Sequence, residues 1–129
     1  MEEYTVKVKD NGDREWYQDG KLHREDGPAS EYASGSKAWY QNGKLHRLDG
    51  PAVEWADGSK VWYQNNKRHR EDGPAIDDAD GYKEWYIEGK RLTEEKFNNR
   101  NKVEVTLEDI AEAMNIDVDK LRIKELSYN

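Results

Sequence analysis

The sequence contains no cysteine, so neither disulfides nor thiolate metal sites can hold the chain together. It has three prolines, two methionines and a single phenylalanine. No stretch reaches the apolar length of a membrane span or a signal peptide, and a soluble, cytoplasmic protein is expected. Apolar residues make up 34% of the chain and charged residues 38%, a thin supply for a thick core. Such a composition borders on disorder. Five Trp and eight Tyr argue otherwise, because large rings bury much area per residue. The net charge of −7 is mixed along the chain, which makes direct nucleic-acid binding an unfavoured reading.

What the 129 residues do contain is repetition. "KLHREDGPA" at 21–29 returns as "KLHRLDGPA" at 44–52 and "KRHREDGPA" at 67–75. The step is 23 residues, and it also links Trp16-Tyr17, Trp39-Tyr40, Trp62-Tyr63 and Trp85-Tyr86. Short runs of aromatic or β-branched residues alternate with polar ones between turn pairs, a strand-and-hairpin pattern. Asp19-Gly20, Asn42-Gly43 and Asn65-Asn66 suit two-residue turns that need positive φ twice. A second turn falls at Asn11-Gly12, Asp57-Gly58 and Asp80-Gly81. Each repeat is therefore expected to be two short strands with a third near Lys44–Arg47. "YTVKVKDN" at 4–11 fills the place of a missing half-copy at the front.

If Asp57-Gly58 is a tight two-residue turn, Val53 faces Trp62 and Ala52 faces Tyr63. The same count pairs Ser30 with Trp39, Ile76 with Trp85, Ala29 with Tyr40 and Ala75 with Tyr86. Large against small at a fixed position suits a packed layer, so a buried Tyr ladder is the expectation. Sheet faces exchange if the register moves by one.

The unit "DGPAVEWADGSKVWYQNNK" resembles the MORN repeat superfamily in a divergent form. It is more similar still to the "WYxNGKLHREDGPA" arrays of bacteriophage and large-virus hypothetical proteins. The resemblance covers residues 12 to about 97. It implies a mainly β fold, an elongated and twisted sheet of tandem antiparallel hairpins. It also implies a scaffold or binding surface with no catalytic activity of its own. The last copy departs from the pattern, since "EGKRLTEEKF" replaces the loop and Leu92 takes the histidine position.

His, Arg, Glu and Asp side by side invite a catalytic or metal reading. Three copies of one phrase argue against it, because an enzyme needs one asymmetric constellation. Equivalent positions of stacked repeats also stay about 10 Å apart when two strands intervene. No cofactor or metal is expected. The phrase reads first as a structural loop, with Asp26, Asp49 and Asp72 accepting loop hydrogen bonds. In that reading Arg24, Arg47 and Arg70 pair with them or with Glu of the next strand. A ligand-contact ladder of His and Arg beside Trp stays open. The middle copies are the expected contact surface, with anchors Trp39, Trp55 and Trp62, rim residues Arg47 and Arg70, and His46 and His69 beside them. Trp55 stands where other copies have Tyr32 and Asp78, so packing alone does not explain it.

The composition changes after Phe97. The expected division is a repeat array at 1–92 and a helical cap or partner-docking module at 93–129. Thr93 is a candidate N-cap for a short helix over "TEEKF" that closes the sheet. "KVEV" at 102–105 is a candidate last strand. Thr106 with Asp109 resembles a capping box, Leu107, Ile110, Ala111 and Met114 share a helical face, and Asn115 is a stop. Asp117 is placed to cap a second short helix. "EDIAEAMNIDVDKL" resembles the first half of a helix-turn-helix, but acids outnumber bases over 98–129, the wrong balance for reading DNA.

The function expected is non-catalytic binding, on the family resemblance that of a phage-type factor that binds and inhibits a host protein such as a bacterial defence component. Two alternatives stay beside it: a sponge for a nucleotide-like ligand within a homo-oligomer, and an acidic DNA mimic diluted by 21 Lys and Arg.

Overall fold

A computed structural model describes residues 3–102 and 105–120. Among the described residues the strands lie between residues 5 and 92 and pair antiparallel, joined by turns and loops, with helices only beyond them. Ten strands form one sheet, and two further two-stranded ladders, Tyr40–Gln41 with Lys44–Leu45 and Tyr63–Gln64 with Lys67–Arg68, project from it. In a middle copy Val53–Glu54 pairs with Lys60–Val61, which pairs in turn with Ile76–Asp77 of the next copy. At Trp62 the chain changes partners. Its N–H donates to the Ala75 carbonyl, while its own carbonyl accepts from the His69 N–H.

The Asx-Gly turns explain the register. Asp19, Asn42 and Asn65 have φ of 51°, 51° and 49°, and the following residues are also positive, as two-residue hairpins of this hand require. The fourth copy puts Glu88 there at φ 48°. A Glu side chain has no local way to relieve that conformation, so Glu88→Asn is expected to raise stability by about 0.5–1 kcal/mol, read as a higher urea midpoint.

The other turn differs from expectation. The Gly58 N–H donates to the Trp55 carbonyl and the Trp55 N–H to the Ser59 carbonyl, so the loop holds three residues, Ala56, Asp57 and Gly58. Gly58, at φ 94°, occupies the bulge position that only glycine takes without cost. The extra residue moves the pairing by one. Val53 opposes Val61, not Trp62, and Ser30 opposes Ala38, not Trp39. The buried Tyr ladder is therefore wrong. Tyr40 and Tyr63 are half-buried and pair with Leu45 and Arg68 in the projecting ladders.

The large-small alternation belongs to tryptophan instead. Continuing the register by one residue gives the row Trp16, Ala29, Trp39, Ala52, Trp62, Ala75, Trp85 across the sheet. Ala29, Ala52 and Ala75 are fully buried, at 0% exposure, and are the centre of a core with very little aliphatic material. On the same face runs a row of alternating charge: Arg14, Glu31, Lys37, Glu54, Lys60, Asp77, Lys83. Opposite charges alternate at every step, so no like charges face each other. The neighbours in this row are not within ion-pair distance; the Glu31 and Glu54 carboxylates pair instead with Arg24 and Arg47.

Both ends of the array are modified. Thr5–Val8 pairs with Arg14–Gln18 in place of the missing half-copy, and the Tyr4 ring stacks on His23. At the other end Thr93 accepts from the Lys96 N–H and starts the helix Glu94–Asn99, whose Phe97 is buried.

The chain divides into compact units at Asn98/Asn99 rather than at residue 92, so nearly all of this helix belongs with the sheet. In the second unit the helix Leu107–Met114 carries the expected reciprocal capping box of Thr106 and Asp109, and Asn115 ends it at φ 54°. Val118–Lys120 is a single 3₁₀ turn, with Asp117 accepting from the Asp119 N–H. The expected last strand falls partly on 103–104, and the end of the helix-turn-helix-like stretch on Leu121. Both lie outside the described residues.

Candidate binding surfaces

The repeated phrase builds one joint three times. Each arginine lies flat on the tryptophan of its own copy: Arg24 on Trp16, Arg47 on Trp39 and Arg70 on Trp62, at 4.0, 3.9 and 3.7 Å from the ring centres. The rim of the guanidinium is used as well. Arg47 Nε donates to Asp49 at 3.0 Å, and Nη1 donates to the Pro51 carbonyl at 3.1 Å and to Glu54 at 3.3 Å. Glycine precedes each proline because the guanidinium passes against it. A Cβ on Gly50 would sit 2.9 Å from Arg47 Cζ.

The histidines join one copy to the next. His23, His46 and His69 each accept, through Nδ1, from the backbone N–H that opens the following hairpin turn, at Asn42, Asn65 and Glu88. The ring proton therefore sits on Nε2, and in the first copy it donates to Glu25 at 2.6 Å. The middle copy has Leu48 where the others have Glu25 and Glu71, and that leucine is 77% exposed. The opposite end of each hairpin has a second clasp. Asp13, Ser36 and Ser59 accept from the N–H groups of Ala33, Ala56 and Ala79 in the next copy. Sequence reasoning missed this clasp, although Gly35-Ser36 and Gly58-Ser59 recur at the repeat step.

The residues picked out from the sequence do not form one surface. Trp39, His46 and Arg47 share a groove of about 690 Å³ with Glu25 and Asp26. Trp62, His69 and Arg70 line the next groove, of about 510 Å³, with Asp49 and Asp72. Trp55 lies elsewhere, with Ser34, Asp57, Asp78 and Asp80 around a shallow depression of about 740 Å³. By strand alternation it points to the face opposite Trp39 and Trp62. The Ser59 N–H donates to Asp57, which holds that carboxyl below the usual carboxylate range.

On this second face one row is rich in exposed rings. Tyr32, Ser36, Trp55, Ser59, Asp78 and Tyr82 follow one another across the sheet. Tyr32 is 44% exposed, Trp55 52% and Tyr82 51%. Behind this row lie the half-buried Val53, Val61 and Ile76. Tyr32 and Tyr82 were not picked out from the sequence. The available signal was that tyrosine takes the serine position in the Gly81-Tyr82 pair.

Among the described residues no group of three His, Asp or Glu side chains could hold a metal ion, and no helix is long and apolar enough to cross a membrane. No family model, curated protein or solved structure matches the chain.

Proposed function

We propose that the chain is a non-catalytic binding protein and that the face carrying Trp55 is its contact surface. One observation carries this reading: Trp55 is half out in solvent at a position the fold also fills with Asp78. The fold accepts Asp at the same place, so packing does not require a ring of that size there, and Trp is over-represented among binding hot spots. Tyr32 and Tyr82 extend the patch, while Asp57, Asp78 and Asp80 give it an acidic border. The border favours a partner with basic groups at its rim.

The Trp-bearing grooves support a ligand role less well, because each guanidinium there already faces a carboxylate. A DNA mimic needs acids in runs, whereas one face alternates acid with base. The resemblance to viral repeat arrays directs the partner search to host proteins, with inhibition of a bacterial defence component as the specific proposal.

The test uses the substitution the repeat itself contains. Trp55→Asp is expected to leave the melting temperature within a few degrees of wild type. It should also reduce capture of the partner, identified by mass spectrometry from host lysate, by about 30-fold or more, the scale of one hot-spot residue. Undiminished capture by a folded Trp55→Asp chain would remove this face from consideration.

A further inference from the structure

At one end of the sheet no further strand pairs among the described residues. Thr5–Val8 pairs with Arg14–Gln18 on one side only. The Lys9 N–H donates inward to the Asp13 carbonyl, so by alternation the backbone groups of Thr5 and Lys7 also point inward. Those of Val6 and Val8 point out from the edge. Lysines are a common protection for such an edge, but here both are drawn back over the neighbouring strand. Lys7 Nζ sits 4.4 Å from the centre of the Tyr17 ring, and Lys9 Nζ lies 3.0 Å from Glu15. On the other face of the strand Val6 is 46% exposed and Val8 65%.

We propose that this edge pairs antiparallel with the same edge of a second copy of the chain, about a two-fold axis through Val6. The charges permit that register and disfavour the one centred on Lys7. Pairing two identical edges with their faces matched requires a residue, not a peptide bond, on the axis. With Val6 on the axis its outward N–H donates to the Val6 carbonyl of the second copy and its carbonyl accepts from that copy's Val6 N–H, and Tyr4 stands opposite Val8. Thr5 then meets Lys7, and Glu3 meets Lys9, so no like charges face each other along 3–9. Moving the axis one residue on, to Lys7, places two ammonium groups opposite each other, which is destabilising. The Val6 register also extends a row already present. Val6 is the neighbour of Trp16 in the Trp-Ala row, so two such rows become continuous across the axis.

Sedimentation of the full chain at micromolar concentrations is expected to give the mass of two chains. Val6→Lys and Val6→Glu each place like charges on the axis and should each weaken association by at least about tenfold, while an equimolar mixture of the two restores the dimer. Circular dichroism and melting curves of the separate variants check that each is folded. Any of three results overturns the proposal: a wild-type chain that sediments as a monomer, folded variants that dimerise undiminished, or a mixture of folded variants that stays monomeric. The first would leave the edge to a strand from a different protein.

Discussion

Trp39→Ala is expected to cost about 3–5 kcal/mol, measured as the loss in unfolding free energy in urea. The ring lies in the row beside fully buried Ala52, and it is the surface on which Arg47 rests. Its removal leaves a void next to a methyl group that cannot fill it, and it takes away the stacking partner of a charged group. Tyr40→Ala should cost less, about 2 kcal/mol, because that ring, half-buried like Trp39, lies against Leu45 in a projecting ladder and carries no stacked arginine. Burial also raises the pKa of the Tyr40 phenol. A larger loss for Tyr40→Ala than for Trp39→Ala would restore the tight-turn register.

Arg47→Ala should be the next most damaging change, at about 2–4 kcal/mol. It removes the stack on Trp39 together with the donor to the Pro51 carbonyl and the two carboxylate contacts. Arg47→Lys should recover only a minor part of this loss. An ammonium can reach one acceptor at a time and does not lie flat on indole while serving three. Asp49→Ala should cost under about 1 kcal/mol, because that carboxylate is 87% exposed and water screens the pair. Equal losses for Asp49→Ala and Arg47→Ala would show that the ion pair, and not the stack and the carbonyl bond, holds the joint.

Much of this architecture was legible in the sequence because each repeat marks its own turns. Asn-Gly and Asp-Gly pairs at a fixed step fix the hairpins, and the loss of the phrase after Gly89 marks the end of the array. The capping residues Thr93, Thr106 and Asn115 were readable for the same local reason. The face assignment failed because a two-residue and a three-residue turn share the Asp-Gly signature. They differ only in whether glycine sits inside the turn or at the bulge after it, and one residue exchanges the faces. The joint was legible only in part. Arginine could be matched to aspartate and to the glutamate of the next strand by spacing. The stack on tryptophan and the clasp from His46 Nδ1 to the Asn65 N–H depend on how neighbouring strands lie, which no spacing encodes. The two surfaces were merged for the same reason: Trp55 and Trp62 look alike in the chain, and only the register sends them to opposite faces.

That tryptophan, and not tyrosine, packs over the repeat's alanine is read most directly from the nuclear Overhauser contacts of the Ala52 methyl group in the full chain. Contacts to the indole protons of Trp39 and Trp62, together with methyl-to-methyl contacts between Val53 and Val61, are the expected result. An Ala52 methyl that instead meets the Tyr63 ring, with Val53 against Trp62, would contradict the register, the joint built on it and the exposure of Trp55 on the opposite face.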